Sequence, residues 1–226
     1  MINENQKQFV EFMLEENALQ FGSFVLKSGR HSPFFINTAL FNTGNAILKL
    51  GEFYARTIHE NFGENFDVIF GPAYKGIPLA VATTISFYNL FGKKIRYSSN
   101  RKEIKDHGDA GIFLGSKIAS GDKVVIVEDV TTSGASIAET FPIITSEKNV
   151  NVLGLVVSIN RNERGTSDKS ALSEIAETYK IKTCSIVSMK DVISFLDARD
   201  FFSSEIKRAL DAYYKEWGAS EVVVRC

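Results

Sequence analysis

Short apolar runs and longer amphipathic ones alternate along this chain. Phe9, Phe12, Met13 and Leu14 recur at helical spacing, so an amphipathic helix is predicted over residues 4–18. The stretch GSFVLKSGRHSPFFIN alternates and turns at Ser28, Gly29, Arg30 and His31, the pattern of a hairpin. Residues 45–62 are helical in pattern. From there one cycle repeats. FDVIFG (66–71) predicts a strand and GIPLAVATTISFYNLF a helix, and KKIRYSS (93–99) predicts the next strand. KVVIVED (123–129) is another strand, with a helix over 134–148. NVLGLVVSIN (151–160) is a strand and ALSEIAETYK a helix; KTCSIVSM is a short strand before terminal helices at 189–198 and 203–216.

Strands that are apolar throughout and alternate with helices build a parallel sheet covered on both faces. The expected fold is therefore α/β: a doubly wound, mostly parallel sheet flanked by helices, with an N-terminal helix-and-hairpin hood. A single domain is expected over residues 1–226, with residues 1–42 and the C-terminal helices contributing the hood. No internal repeat, low-complexity tract or Pro/Ser-rich linker interrupts it. In such sheets ligands sit beyond the carboxyl ends of the strands, so the strand-exit loops are where chemistry belongs.

Composition narrows the function classes. A chain of 226 residues, 44% hydrophobic and 23% charged, can bury a full core and has no signature of disorder. A formal net charge of −1 argues against nucleic-acid or anionic-membrane binding driven by overall charge. Cys184 and Cys226 are far apart and form no CxxC, so neither a disulfide framework nor a zinc site is indicated. No apolar run approaches the roughly 20 residues of a membrane span, and the charged N-terminus lacks an apolar signal core. A cytoplasmic location follows as the expectation.

Four strand-exit loops are unusual. In KVVIVEDVTTSGAS a buried strand ends in Glu128 and Asp129, a costly place for two carboxylates unless a ligand uses them. Thr131, Thr132, Ser133, Gly134 and Ala135 then lead into a helix N-terminus, where free amides and the helix dipole favour a phosphate. Carboxylates suit ribose hydroxyls or a magnesium ion, so a sugar phosphate satisfies both halves. Ordinary helix capping by Thr and Ser is the plainer account of that loop. In GPAYKG, Gly71 and Gly76 bracket a tight turn from which Lys75 can project over the sheet edge; a solvated lysine on a βα turn is the alternative. NRKEIKDHGDAG (100–111) sets Arg101, Lys102, Lys105 and His107 within seven residues beside two glycines. A charge run is commonly just solvated surface. A flexible cationic loop, however, could close over a departing anion and exclude water. Finally, SINRNERG ends a buried strand at Arg161, whose guanidinium can hold a carboxylate bidentately.

VVIVEDVTTSGAS resembles the phosphoribosyl-diphosphate (PRPP) motif of type I phosphoribosyltransferases, with Glu128 where many members carry Asp. RKEIKDHG resembles the mobile loop of orotate phosphoribosyltransferases. The likeness to that family runs from FVLKSGR through INRNERG and resumes in SIVSMKDVISFL and AYYKEWG. It implies orotidine 5′-monophosphate synthesis from orotate and PRPP by a free-standing enzyme of pyrimidine biosynthesis that uses Mg²⁺. It implies PRPP contacts from Lys27, Tyr74, Lys75, Arg101, Lys102, Lys105, His107, Glu128, Asp129 and the loop Val130, Thr131, Thr132, Ser133, Gly134, Ala135 and Ser136. Orotate would meet Phe34, Phe35, Thr132 and Arg161. Lys105, His107, Arg101, Lys102 and Asp129 would act on the transition state, and Mg²⁺ would be held mainly through PRPP, near Glu128 and Asp129. The resemblance also implies a non-proline cis peptide near Ala73–Tyr74, and a homodimer whose 100–111 loop reaches the neighbouring site. A purine phosphoribosyltransferase, a PRPP-sensing regulator and an inactive paralogue are the competing readings. The RKEIKDHG loop, Arg161, the absence of a basic face and the intact TTSG turn argue against them in turn.

Overall fold

The computed structural model describes residues 2–26, 29–105, 111–131, 134–165 and 167–220, and of residues 104 and 105 the backbone alone. Helix α1 (Glu4–Glu15) starts at a capping box in which Asn3 and Gln6 each bond the other's backbone N–H, both at 2.9 Å. Strands β1 (Leu19–Val25) and β2 (His31–Ile36) pair antiparallel as the predicted hairpin. A short 3₁₀ turn (Thr38–Leu40) leads to α2 (Gly44–Phe62), β3 (Val68–Phe70), α3 (Gly76–Phe91), β4 (Arg96–Lys105) and β5 (Gly111–Gly115). Then come β6 (Lys123–Glu128), α4 (Ala135–Ile144), β7 (Asn151–Asn160), α5 (Ala171–Tyr179), β8 (Lys182–Ser188), α6 (Met189–Asp197) and α7 (Ser204–Trp217).

The main sheet runs β5-β4-β3-β6-β7-β8, parallel throughout except for the β4–β5 pair. Both faces are covered, and β6 shows why its sequence is apolar without alternation. Val125 and Val127 enter one core with α1, α2, the hairpin and α6, while Val124 and Ile126 enter a second core with Ile137, Ile144 and Leu155. Successive side chains point to opposite faces, so a strand buried on both needs apolar residues at every position.

One prediction is corrected here. The 100–111 stretch reads as loop because of its charges, yet residues 100–105 continue β4 and Gly111 opens β5, with Lys105 opposite Gly111. Beyond Ser98, β4 has outrun the short β3, so its partner is β5 alone. The two form an arm past the carboxyl edge of the sheet, where the consecutive charged residues Arg101, Lys102 and Glu103 hide the strand pattern. Helix α4 is also shorter than predicted and ends at Ile144, just after Pro142.

Candidate active site

Five helices begin at a side-chain cap: Asn3, Thr43, Ser170, Ser188 and Ser203 each accept from an amide of the first turn. Helices α3 and α4 have no side-chain cap. Both start immediately after the carboxyl ends of neighbouring strands, β3 and β6. In α3 the Gly76 and Ile77 amides are already bonded to Pro72 O and Tyr74 O at 2.9 and 3.3 Å and Pro78 has none, so it is the start of α4, at Ala135 and Ser136, whose amides and helix dipole suit an anion.

Between these helix starts lies the acid pair. Glu128 is buried at 7% exposure and accepts from the Ser136 hydroxyl at 2.5 Å. Burial pushes its carboxyl up to about 7; the Ser136 hydrogen bond opposes that rise and the neighbouring Asp129 adds to it. Asp129 is less enclosed. Its Oδ2 accepts from Lys75 Nζ at 2.9 Å and from Thr38 Oγ1 at 2.8 Å. The two carbonyls of the pair are fixed from below: the buried Tyr54 hydroxyl donates to Glu128 O at 2.6 Å. Ser158 donates to Asp129 O from its hydroxyl at 2.5 Å and from its amide at 2.9 Å. Burial, aided by Asp129, holds the Tyr54 phenol well above its ordinary range, so it stays a donor. A cavity of about 170 Å³ opens beside Asp129, lined by the polar Thr38, Lys75 and Ser158 and by the apolar Leu50, Pro78 and Leu79.

The GPAYKG turn is as tight as its glycines suggest. A Cβ on Gly71 would lie 2.0 Å from Gly76 O, so backbone meets backbone at that point. The Ala73–Tyr74 peptide is cis, Asn100 Oδ1 accepts from Ala73 N at 2.9 Å, and Tyr74 projects into solvent at 70% exposure. Gly134 takes a left-handed φ of 71° and its amide bonds Thr131 Oγ1 at 3.1 Å, turning the chain into α4. Ala135 opens that helix, and Val130 packs on the main core.

Other expected site residues are engaged differently. Ser136 spends its hydroxyl on Glu128, leaving its amide for a ligand. Arg101 Nε bonds Phe113 O across the β4–β5 arm at 3.1 Å, and Lys102 pairs with Glu139 of α4 at 3.1 Å. Phe34 and Phe35 sit on opposite faces of the hairpin: Phe34 is fully buried, whereas Phe35 is 36% exposed and stacks on Phe24. Strand alternation turns the two rings to opposite sides of the hairpin. Arg161 lies over the Phe34 ring at 4.5 Å and donates from Nε to Glu163 Oε1 at 2.9 Å. Lys27, His107, Thr132 and Ser133, and the side chain of Lys105, lie outside the described residues. Sequence reading missed Thr38, Tyr54, Asn100, Ser158 and Glu163. Of these, only Glu163 had a nearby signal, an acid two residues from the arginine of interest.

The profile of the phosphoribosyl transferase domain family matches residues 38–186. Orotate phosphoribosyltransferase of Lachnoclostridium phytofermentans is 54% identical over 222 residues, 96% of this chain and 99% of that protein. The enzyme of that name from Clostridium beijerinckii is 53% identical over 95% of this chain and 98% of its own length. The crystal structure of Francisella tularensis orotate phosphoribosyltransferase superposes with a TM-score of 0.83 at 32% identity, covering 93% of this chain and 99% of that one. Those relatives span the hood, the sheet and the acid-pair loop alike, and the chain belongs to the orotate phosphoribosyltransferase family.

Proposed function

We propose that this chain transfers the phosphoribosyl group of PRPP to N1 of orotate, releasing pyrophosphate and forming orotidine 5′-monophosphate for pyrimidine biosynthesis. The observation that carries the reading is the acid pair Glu128–Asp129 set between two uncapped helix starts, with Lys75 2.9 Å from Asp129. In the reaction the bond from C1 of the ribose to the pyrophosphate oxygen breaks as the N1–C1 bond forms. Positive charge builds on the sugar and negative charge on the leaving group. Glu128 and Asp129 hold the ribose hydroxyls and favour the sugar's charge. The α4 amides of Ala135 and Ser136, with Thr131, Thr132, Ser133 and the Gly134 turn, hold the 5′-phosphate. The turn at Tyr74 and Lys75, ahead of α3, receives the pyrophosphate. Lys27, Arg101, Lys102, Lys105 and His107 bring further positive charge to it, with Lys105 and His107 nearest the departing oxygens. No covalent intermediate is needed; position and charge supply the acceleration.

Mg²⁺ fits this site as an ion carried by the diphosphate. Among the described residues no group of three or more acids, histidines or cysteines converges on a metal position, while Asp129 is partly open beside Lys75. Bound there, the ion would neutralise charge on pyrophosphate, with Glu128 and Asp129 as the nearest acids.

Arg161 is assigned the choice of base in this reading. Its side chain is about one-tenth exposed, and Glu163 Oε1 holds one edge of the guanidinium, 2.9 Å from Nε and 2.6 Å from Nη2. The remaining donors of the fork suit the carboxylate that distinguishes orotate from uracil. Phe34 backs the guanidinium, and Phe35 and Thr132 are assigned to the border of the base.

The working unit in this reading is a cytoplasmic homodimer whose 100–111 segment reaches its neighbour. Leu48 of α2 and Ile85 and Tyr88 of α3 are 42%, 51% and 51% exposed on two helices packed together, an apolar face suited to a second copy. Activity that falls on dilution supports the dimer, and full activity in a proven monomer removes it.

The deciding experiment is spectrophotometric: loss of orotate with PRPP and Mg²⁺, beside uracil, adenine and hypoxanthine, for wild type and Lys105→Ala. Turnover of orotate alone, severely depressed in the variant, is the expected result. Turnover of a purine instead, or of no base with PRPP still bound, overturns it.

A further inference from the structure

The AYYKEW segment in the last turns of α7 has no part in the chemistry above, yet it encloses Arg161. Tyr214 donates to the Arg161 carbonyl at 2.7 Å and lies parallel to Phe34, the ring beneath the guanidinium. Tyr213 donates to Glu163 Oε1 at 2.8 Å, the oxygen that also accepts from Arg161 Nε. The other Glu163 oxygen is 3.9 Å from Arg30, whose guanidinium sits 4.2 Å over the Trp217 ring. Asn162 makes this meeting possible. Its left-handed φ of 55° reverses the chain so that Arg161 and Glu163 converge, and its side chain is tied down by the Lys190 amide at 3.1 Å.

Charge sets the logic of the cluster. Two guanidinium groups face one carboxylate, with Glu163 only about one-tenth exposed, so one positive charge is left over for a ligand. Glu163 occupies the Nε edge of Arg161, and that edge fixes the plane of the whole fork. An arginine with one edge anchored presents its remaining donors in a fixed direction, so less freedom is lost when a carboxylate arrives.

We propose that Glu163, braced by Tyr213 and Arg30, is a positioning residue that orients Arg161 toward the carboxylate of the acceptor base. The inference rests on the orotate reading and adds to it a residue that never touches substrate. The test is steady-state kinetics of Glu163→Gln and Tyr213→Phe, varying orotate at saturating PRPP and PRPP at saturating orotate. Losing the charge of the acceptor predicts a roughly tenfold rise in the KM for orotate in Glu163→Gln, and losing one hydrogen bond to that carboxylate about threefold in Tyr213→Phe. The KM for PRPP and kcat stay within about twofold in both, because the PRPP groups are untouched. In an Arg161→Ala background, Glu163→Gln adds less than about twofold, since its effect runs through the guanidinium.

An orotate KM that does not move, or a rise in both KM values that persists without Arg161, overturns the positioning role while leaving the orotate reading intact. If Glu163→Gln does not fold, Tyr213→Phe decides alone, because it removes a hydroxyl and keeps the ring. A wild type that uses another base but not orotate overturns both readings, and the wild-type assay is run first to separate the two failures.

Discussion

Lys75 Nζ and Thr38 Oγ1 converge on a single oxygen, Oδ2 of Asp129, at 2.9 and 2.8 Å. One partner comes from the turn after β3 and the other from the segment that leaves the hairpin, so this carboxylate joins hood to sheet. The lysine is 67% exposed along its side chain, and exposed pairs of this kind contribute about 0–1 kcal/mol. Lys75→Ala is therefore expected to shift the thermal midpoint by no more than about 3 °C. Its value is chemical: loss of a cation at the pyrophosphate position is expected to lower kcat/KM for PRPP by roughly a hundredfold to a thousandfold. Steady-state kinetics beside a melting curve separate the two. A large melting shift with activity retained would make the pair a structural tie.

Tyr54 acts from the opposite side. Its hydroxyl reaches the Glu128 carbonyl at 2.6 Å from a fully buried position, and the ring is part of the main core. Tyr54→Phe keeps the ring and leaves that carbonyl short of a donor. The expected cost is about 1–2 kcal/mol in urea unfolding, with an unchanged slope because no further surface is exposed. A smaller effect than this would mean that the hydroxyl of Ser158 or water takes over.

Glu128 supplies a pH prediction. Burial raises its carboxyl from 4.5 to about 7, so between those values the folded chain holds a proton that the unfolded chain has released. Stability contributed by this group therefore falls as pH climbs through that window, and above it the full penalty stands, on the order of 3 kcal/mol. Glu128→Gln, which cannot ionise, is expected to gain on wild type by that amount between pH 5 and pH 8. A difference that is flat with pH would show an ordinary carboxyl. Ribose hydroxyls donating to the ionised form would pull the value back down, so PRPP binding near pH 7 should release a fraction of a proton. Calorimetry in two buffers of different ionisation heat reads that directly.

How much of this was legible in the sequence follows from the range of each interaction. The bounds of α3 and β7 coincide with the predicted ones, because each is an apolar run with a local end: Gly92 ends the helix in a left-handed turn, and Asn151 and Asn160 bound the strand. The arm of β4 and β5 was not legible, since its consecutive charged residues hide a pairing that only tertiary structure provides. The acid pair could be read locally, whereas its supports could not. Thr38 lies 91 residues from Asp129 and Tyr54 lies 74 from Glu128, and nothing in their own neighbourhoods marks them. That Phe34 and Phe35 face opposite sides of the hairpin was legible locally, since adjacent strand residues point opposite ways.

Gly71 offers the sharpest structural test. Its missing side chain allows the chain leaving β3 to touch the chain entering α3, and a Cβ there would sit 2.0 Å from Gly76 O and 2.5 Å from Gly76 C. Both are backbone atoms, so no rotamer change relieves the clash and the turn itself must open. Gly71→Ala is expected to cost about 2–4 kcal/mol, equivalent to a melting point lower by roughly 5–15 °C. Because the same turn carries Tyr74 and Lys75, PRPP affinity should fall with it even at temperatures where the variant is folded. Gly44 is the control. A Cβ there meets nothing within 4 Å at the start of α2, so Gly44→Ala should leave stability equal or raise it by up to about 1 kcal/mol. A tolerated Gly71→Ala with normal PRPP binding would mean that this turn can relax, and that Lys75 does not depend on its present shape.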